Sequence, residues 1–238
     1  MNQDIINEIK DQDYVSITET IEKFISDKIK KSNAKGVILG LSGGIDSAVL
    51  AYLCKDALKI IALTGIQYKL IDIKPIVHEY SMYLEPNEKS RGNLRARIRT
   101  NILYYYANAK NYLVLGSSDK SEHLIGYFTK FGDGASDITP IISLYKLQVR
   151  EIAKYLKVPQ NIITKKSSPH LWKDHDAEDE LEASYEDIDS ILYCLFDKKL
   201  SIEETIKITK IESEIIEKIQ KLNIKSEHKR LSAQKPNR

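Results

Sequence analysis

The chain has 238 residues, 42% hydrophobic and 29% charged, the balance of a folded soluble protein rather than a disordered or membrane-embedded one. Lys and Arg number 36 against 34 Asp and Glu, and the resulting net charge of +2 gives no ground for general nucleic-acid binding. No apolar run approaches the roughly 20 residues of a membrane span, and the acidic N-terminus is not a secretory leader, so a cytoplasmic location is expected. The cysteines, Cys54 and Cys194, lie in apolar helical patterns without a CxxC pair and are expected to pack rather than bind zinc or cycle redox state.

In chain order, Ser16 and Glu19 form a capping box for a helix on which Ile17, Ile21, Phe24, Ile25 and Ile29 share a face, ending near Lys31-Ser32. Gly36–Leu41 reads as a short buried strand. From Ser47 the pattern is helical through Leu63, with Gly65 as the stop. Tyr68–Ile73 reads as the next strand, residues 74–92 as polar chain with a short helix, and Ala96–Ala109 as a helix. Tyr112–Gly116 is another buried strand, ending in the polar turn Ser117–Lys120. A helix carries Glu122 to Tyr127, and a glycine-rich loop spans Phe131–Asp137. Leu147–Leu156 is helical and stops before Val158-Pro159. Thr164–Leu181 is a charged loop holding Trp172, and helices near 184–197, 201–207 and 211–223 follow. Strands alternating with helices predict an α/β fold, a mostly parallel sheet with helices on both faces. One domain over 1–238 is expected, with a basic tail over about 225–238.

The segment LGLSGGIDSA, Leu39–Ala48, carries the chemistry. A buried strand that ends in Ser-Gly-Gly and opens a helix sets backbone N–H groups around a concavity, and the helix N-terminus adds partial positive charge. Glycines admit an anion without a clashing Cβ, and Ser42 and Ser47 add hydroxyls. Asp46 conflicts with phosphates unless it holds a cation, and magnesium resolves the conflict. Neither GxxxxGK[ST] nor GxGxxG is present. SGGxDS instead resembles the signature of the ATP pyrophosphatases, which cleave ATP between its α and β phosphates.

Within that superfamily the chain resembles ammonia-dependent NAD synthetase over nearly its full length. The blocks, in order, are SGGIDSAV (42–49), NLRARIR (93–99), GSSDKSE (116–122), GYFTKFGDGASDITPI (126–141), LYKLQVREIAKYL (144–156), LW with EDEL (171–181), SYEDID (184–189) and SEHKR (226–230). The resemblance implies an adenine nucleotide α-hydrolase-like, Rossmann-like domain and a two-step reaction. The carboxylate of deamido-NAD attacks the α-phosphate of ATP, releasing pyrophosphate; ammonia then displaces AMP from the acyl adenylate to give NAD. It also implies magnesium, ATP as co-substrate and a homodimer. No glutaminase segment accompanies the blocks, so free or delivered ammonia is the expected nitrogen source.

Residue by residue, the resemblance assigns ATP binding to Gly40, Leu41, Ser42, Gly43, Gly44, Ile45, Asp46, Ser47, Ser117, Lys146 and Ser168. Asp46 and Glu122 match metal ligands, while Arg97, Lys130, Asp137, His228 and Lys229 match positions that bind deamido-NAD. Arginine and lysine suit its pyrophosphate, and Asp137 suits a hydroxyl or amide donor. Substrate carboxylate and ammonia supply both attacks, so no side chain is expected to act as nucleophile.

Two stretches depart from the family. After the first helix the family has a second strand, a loop and another helix; here Leu53-Cys54-Lys55 runs directly into Asp56–Ala62, so one strand is missing. That strand lies beside the adenine in the family, and compensation, weak ATP binding and loss of function all remain open. Asp174–Glu182, DHDAEDELE, stands where the family reads close to GQTDEDELG. Around it, His170, Asp174, His175 and Asp176 could be read as metal ligands, against the plainer reading of a solvated acidic loop. Two other functions compete: another ATP pyrophosphatase, such as a tRNA-thiolating enzyme, which the scarcity of cysteine and of a basic RNA face disfavours; and a non-catalytic homologue that keeps only the dinucleotide pocket.

Overall fold

The computed structural model describes residues 2–58, 67–166, 177–233 and 235–236. Helix α1 (Asn2–Lys10) precedes α2 (Tyr14–Lys31), strand β1 (Gly36–Leu39) and α3 (Ile45–Ala57). Then come α4 (Lys74–Ser81), α5 (Glu88–Lys110), strand β2 (Tyr112–Leu115) and α6 (Lys120–Ile125). The rest is helical: α7 (Lys146–Tyr155), α8 (Gln160–Ile163), α9 (Ala177–Leu181), α10 (Tyr185–Leu192) with a π-helical extension over Tyr193–Asp197, α11 (Ile202–Thr209), α12 (Ser213–Lys225) and α13 (Glu227–Arg230). Among the described residues no helix is long and apolar enough to cross a membrane.

β1 and β2 pair in parallel, Gly36 opposite Tyr112 through Leu39 opposite Leu115, and Leu115 makes a further parallel bridge to Ile138. Strand side chains alternate between faces. Val37, Leu39, Leu113 and Leu115 join the cluster under α2, α3 and α7, while α5 packs against the other face of both strands. The α/β expectation therefore holds, with a smaller sheet. Ile21, Ile25 and Ile29 of α2, Val49, Leu50 and Leu53 of α3, and Val149 and Ile152 of α7 are buried together, each contributing roughly 1.5–3 kcal/mol. The stripe on α2 is thus spent within the chain. A second cluster joins α1, α10, α11 and α12, and α7 links the two, with Leu147 in the second and Ile152 in the first.

Several elements differ from expectation. α2 starts three residues earlier than the capping box allowed: the Asp13 carboxylate accepts the Ser16 N–H at 3.1 Å, which leaves Ser16 inside the helix instead of at its cap. α1 was not foreseen, although Ile5, Ile6 and Ile9 bury one side of it. Tyr68–Ile73 forms no strand; it runs as irregular chain with Tyr68 and Leu70 exposed, because no described strand lies beside it to complete a ladder. α3 is described to Ala57, and the expected continuation to Leu63 with its Gly65 stop lies outside the described residues from 59 on. Trp172 and the His170, Asp174, His175, Asp176 grouping lie outside them too. The basic stretch after Lys225 is partly helical, as α13.

Candidate nucleotide and dinucleotide site

At the end of β1 the chain turns through Gly40–Gly44 into α3. Gly43 adopts φ +76°, a left-handed backbone that glycine takes without strain. Ser47 Oγ organises the turn: it donates to the Gly44 carbonyl at 3.1 Å, accepts the Ser42 N–H at 3.2 Å and lies 3.1 Å from Ser42 Oγ. Ser42 Oγ accepts the Gly44 N–H at 3.1 Å. The serines thus brace the loop from within, while the first N–H groups of α3 have no intrahelical acceptor and suit an anion. Lys165, absent from the expected set, donates to the Gly43 carbonyl at 3.3 Å.

Beyond the turn, a single ammonium gathers three carboxylates. Lys146 Nζ, fully buried at the start of α7, lies 2.7 Å from Asp46 Oδ1, 2.9 Å from Asp119 Oδ2 and 3.0 Å from Glu122 Oε1. The Asp46 and Glu122 contacts are hydrogen bonds; the Asp119 contact is an ion pair off the hydrogen-bonding angle. Burial works against the Lys146 charge, but Asp119, Asp46 and Glu122 outweigh it and hold its pKa well above the ordinary lysine value. Desolvation first, and the neighbouring acids second, push Asp119 and Glu122 above the usual carboxylate range. Asp119 is fully enclosed, whereas the Asp46 and Glu122 side chains keep 18% and 20% exposure and remain reachable.

A buried brace fixes this centre from behind. Asp189 of α10 accepts from Ser121 Oγ at 2.5 Å and from the Leu147 N–H at 2.8 Å, and Ser121 Oγ accepts the Lys146 N–H at 2.9 Å. One carboxylate therefore ties α6, which carries Glu122, to the start of α7, which carries Lys146. Burial raises the Asp189 pKa to about 7, against the Ser121 hydrogen bond.

The residues expected to hold the dinucleotide fall into two groups. The Arg97 guanidinium donates to the Lys130 carbonyl at 3.2 and 3.3 Å, and Lys130 Nζ donates to the His228 carbonyl. Lys229 Nζ donates to the carbonyls of Gly126 at 2.8 Å and Phe128 at 2.9 Å, with burial lowering its pKa. Arg97, Lys130, His228 and Lys229 are thus chained together by α5, the loop after α6, and α13. Asp137 stands apart, accepting the Val114 N–H at 2.7 Å and the Tyr104 hydroxyl at 3.3 Å. α9, from the acidic departure, is anchored by Glu180, which accepts the Tyr127 hydroxyl at 2.7 Å, and by Glu178, 3.5 Å from Arg150.

A cavity of about 2200 Å³ runs from the turn to Lys229. Gly40, Leu41, Ser42, Gly44, Asp46, Ser117, Glu122 and Lys229 line it. Gly43, Ile45, Ser47, Lys146, Arg97, Lys130 and His228 do not line it, and Ser168 lies outside the described residues. Reading the sequence alone missed Asp119, Ser121, Lys165 and Asp189. The blocks GSSDKSE and SYEDID contained three of them, but only folding shows that they meet.

A parallel strand that turns through Ser-Gly-Gly into a helix, with an acidic centre around one lysine at its edge, defines a nucleotide-binding α/β protein of the ATP pyrophosphatase type. The NAD synthase family profile matches residues 17–65 and 54–233, and the chain belongs to that family, which uses ATP as co-substrate. The "NH(3)-dependent NAD(+) synthetase" of Hyperthermus butylicus is 47% identical over 252 aligned positions, covering 94% of this chain and 91% of that one. The protein of the same description from Staphylothermus marinus is 44% identical, covering 95% and 93%. Among solved structures, the NMN synthetase of Francisella tularensis superposes with a TM-score of 0.81 at 33% identity, covering 95% of this chain and all of that one. The Campylobacter jejuni NH3-dependent NAD synthetase, solved with nitrate, gives 0.77 at 32% with the same coverage. The two profile matches overlap over 54–65, and the 252-position alignment exceeds the 238 residues of the chain. Both are the marks of a segment that relatives have and this chain lacks.

Proposed function

We propose that the chain amidates deamido-NAD with ammonia, consuming ATP and releasing AMP and pyrophosphate. The observation that carries this reading is the meeting of the Ser-Gly-Gly turn and the Asp46–Glu122 pair, held by Lys146, in one cavity that extends to Lys229. The turn and the start of α3 receive the phosphates, with Lys146 and Ser117 beside them. Arg97, Lys130, His228 and Lys229 hold the dinucleotide, and Asp137 supports the loop that carries Lys130. The substrate carboxylate forms a bond to the α-phosphorus as pyrophosphate leaves; the ammonia nitrogen then bonds to the carbonyl carbon as AMP leaves. The chain's part is to align the reactants, neutralise charge and exclude water.

The donor set fits magnesium: Asp46 and Glu122 offer hard, partly exposed oxygens that converge on one point. They would hold the ion, which supplies charge neutralisation for the phosphates. The proposal extends to a single domain that acts as a homodimer in the cytoplasm; two free buried thiols agree with a reducing compartment.

The test is NAD formation from deamido-NAD, ATP, magnesium and ammonium, with AMP followed in parallel and Asp46→Ala as control. NAD and AMP should appear in equal amounts and vanish in the control. Binding of deamido-NAD without AMP release would overturn the reading in favour of a binding-only homologue. The Francisella tularensis neighbour motivates a second reading, amidation of the mononucleotide acid; a higher kcat/KM for the mononucleotide than for deamido-NAD would establish it.

A further inference from the structure

Tyr185 opens α10 and is fully buried, yet it borders the cavity together with Glu122, Ile125, Gly126 and Leu181. Its hydroxyl has no hydrogen-bond partner among the described residues. A buried hydroxyl without a bond costs free energy that a phenylalanine in its place would spare. The rest of the residue is pinned. Its N–H donates to Glu178 Oε1 at 3.1 Å, and two cations lie over its ring, Lys146 Nζ at 5.1 Å and the Arg150 guanidinium at 5.8 Å from the centroid. Arg150 is itself held by Glu186 at 2.9 Å. The hydroxyl therefore has a fixed place, near the charges of Lys146, Glu122, Asp119 and Asp46 but bonded to none of them.

We propose that the Tyr185 hydroxyl donates its hydrogen bond to an oxygen of the reacting carboxyl group and is a catalytic residue of the amidation. The inference rests on the synthetase reading above. Position supplies the first argument. α6 and its cap run from Glu122, beside Lys146, to Gly126, whose carbonyl receives Lys229, and α10 packs on α6. A carboxyl group that meets the α-phosphate at one end, while its dinucleotide is held at the other, has to lie along this stretch. Chemistry supplies the second. One carboxylate oxygen bonds to the α-phosphorus as the bond to pyrophosphate breaks, and the other becomes the carbonyl oxygen of the acyl adenylate. When the ammonia lone pair bonds to the carbonyl carbon, that oxygen takes up the carbonyl electron pair. It returns the pair as the bond to AMP breaks, and the nitrogen releases one proton to water. A fixed donor facing this oxygen stabilises charge where it develops and keeps its own proton. Burial raises the Tyr185 pKa well above the ordinary phenol value, against the pull of Lys146, so the group stays neutral. The apolar side chains of Ile125, Ala177 and Leu181 border the same stretch and keep the local dielectric low, which strengthens the bond.

Tyr185→Phe removes the hydroxyl and keeps the ring. Steady-state NAD formation and the melting temperature of both chains test the assignment. The kcat of the variant should fall about 10²-fold, the scale of losing one donor to a developing oxyanion. The KM values for ATP and deamido-NAD should stay within about twofold, because the bond matters most in the transition state. The melting temperature should hold or rise, since the lost hydroxyl makes no bond in the free chain. A kcat within about threefold of the unmodified chain overturns the proposal. So does a fall in kcat that comes with a lower melting temperature, which would make the hydroxyl a structural group. A raised KM for deamido-NAD at unchanged kcat overturns it as well, since the hydroxyl would then only grip the bound substrate. Failure of the synthetase reading looks different: the unmodified chain itself would form no NAD, and this assignment would fall with it.

Discussion

In the proposed reading, the phosphate end and the dinucleotide end of the site are built on different principles. At the phosphate end, Lys146, Asp119, Ser121 and Asp189 are fully buried, and each group is held by partners from distant parts of the sequence. At the dinucleotide end, Arg97, Asp137 and His228 are exposed, and cationic side chains rest on main-chain carbonyls. The first end is preorganised, as charge stabilisation of a transferring phosphoryl group demands. The second holds its cations on neutral acceptors, which a substrate pyrophosphate can outbid because a charge-assisted bond is roughly twice as strong as a neutral one. Under the proposed function, rigidity therefore sits where the reaction occurs, and adaptability where a long substrate must be admitted.

The sharpest way to break the comparison is to remove charge at the rigid end without disturbing shape. Glu122→Gln should lower kcat by about 10²–10³-fold, the range for losing one preorganised electrostatic group. Its melting temperature should hold or rise, because one acid fewer crowds Lys146. A large loss of stability with little loss of kcat would place Glu122 in the scaffold instead. The next largest effect belongs to the other end. Gly126 ends α6 at φ +69°, its carbonyl receives Lys229, and an added Cβ would collide with Ser226 Cβ and Oγ. Gly126→Ala should push α13 off the cavity wall, costing about 1–3 kcal/mol of stability. The KM for deamido-NAD should rise about tenfold while that for ATP is unchanged. Equal increases in both constants would mean that the two ends are one mechanical unit.

How much of this was legible beforehand follows the same division. The Ser-Gly-Gly turn is local: residues 40–47 contain both the geometry and the chemistry, so the sequence sufficed to locate it. The strands around it were readable as short apolar runs for the same reason. Tyr68–Ile73 has the composition of a strand but lacks a neighbouring strand among the described residues, and ladder bonds are a property of two segments. Asp13 and Ser16 were both competent caps; which one serves depends on where α2 starts. α1 hides its three buried isoleucines among polar residues, and they acquire meaning only against the second cluster. Asp119 and Asp189 look like an ordinary helix cap and an ordinary helical acid. Their roles come from contacts that span 27 and 42 residues of chain in the Lys146 and Leu147 pairings, which no local pattern encodes.

A pH titration tests whether the brace behind the rigid end belongs to that end electrostatically. Asp189 is buried and titrates in the folded chain near pH 7, against 3.8 as the ordinary value. Between those values the folded state keeps a proton that the unfolded chain has released, so the stability Asp189 contributes is complete below about pH 4 and lost as pH rises through about 7. Asp189→Asn has the same shape and no such proton. The stability difference between the parent and this variant should therefore shift steadily across that window, by at most about 1.4 kcal/mol per pH unit, with the parent losing ground as pH rises. Urea unfolding at several pH values between 4 and 8 measures it. A flat difference would mean that Asp189 is ionised throughout, its charge fully met by Ser121 and Leu147. The brace would then be a hydrogen-bonded strut alone, with no part in the charge balance that sets Lys146 among its acids.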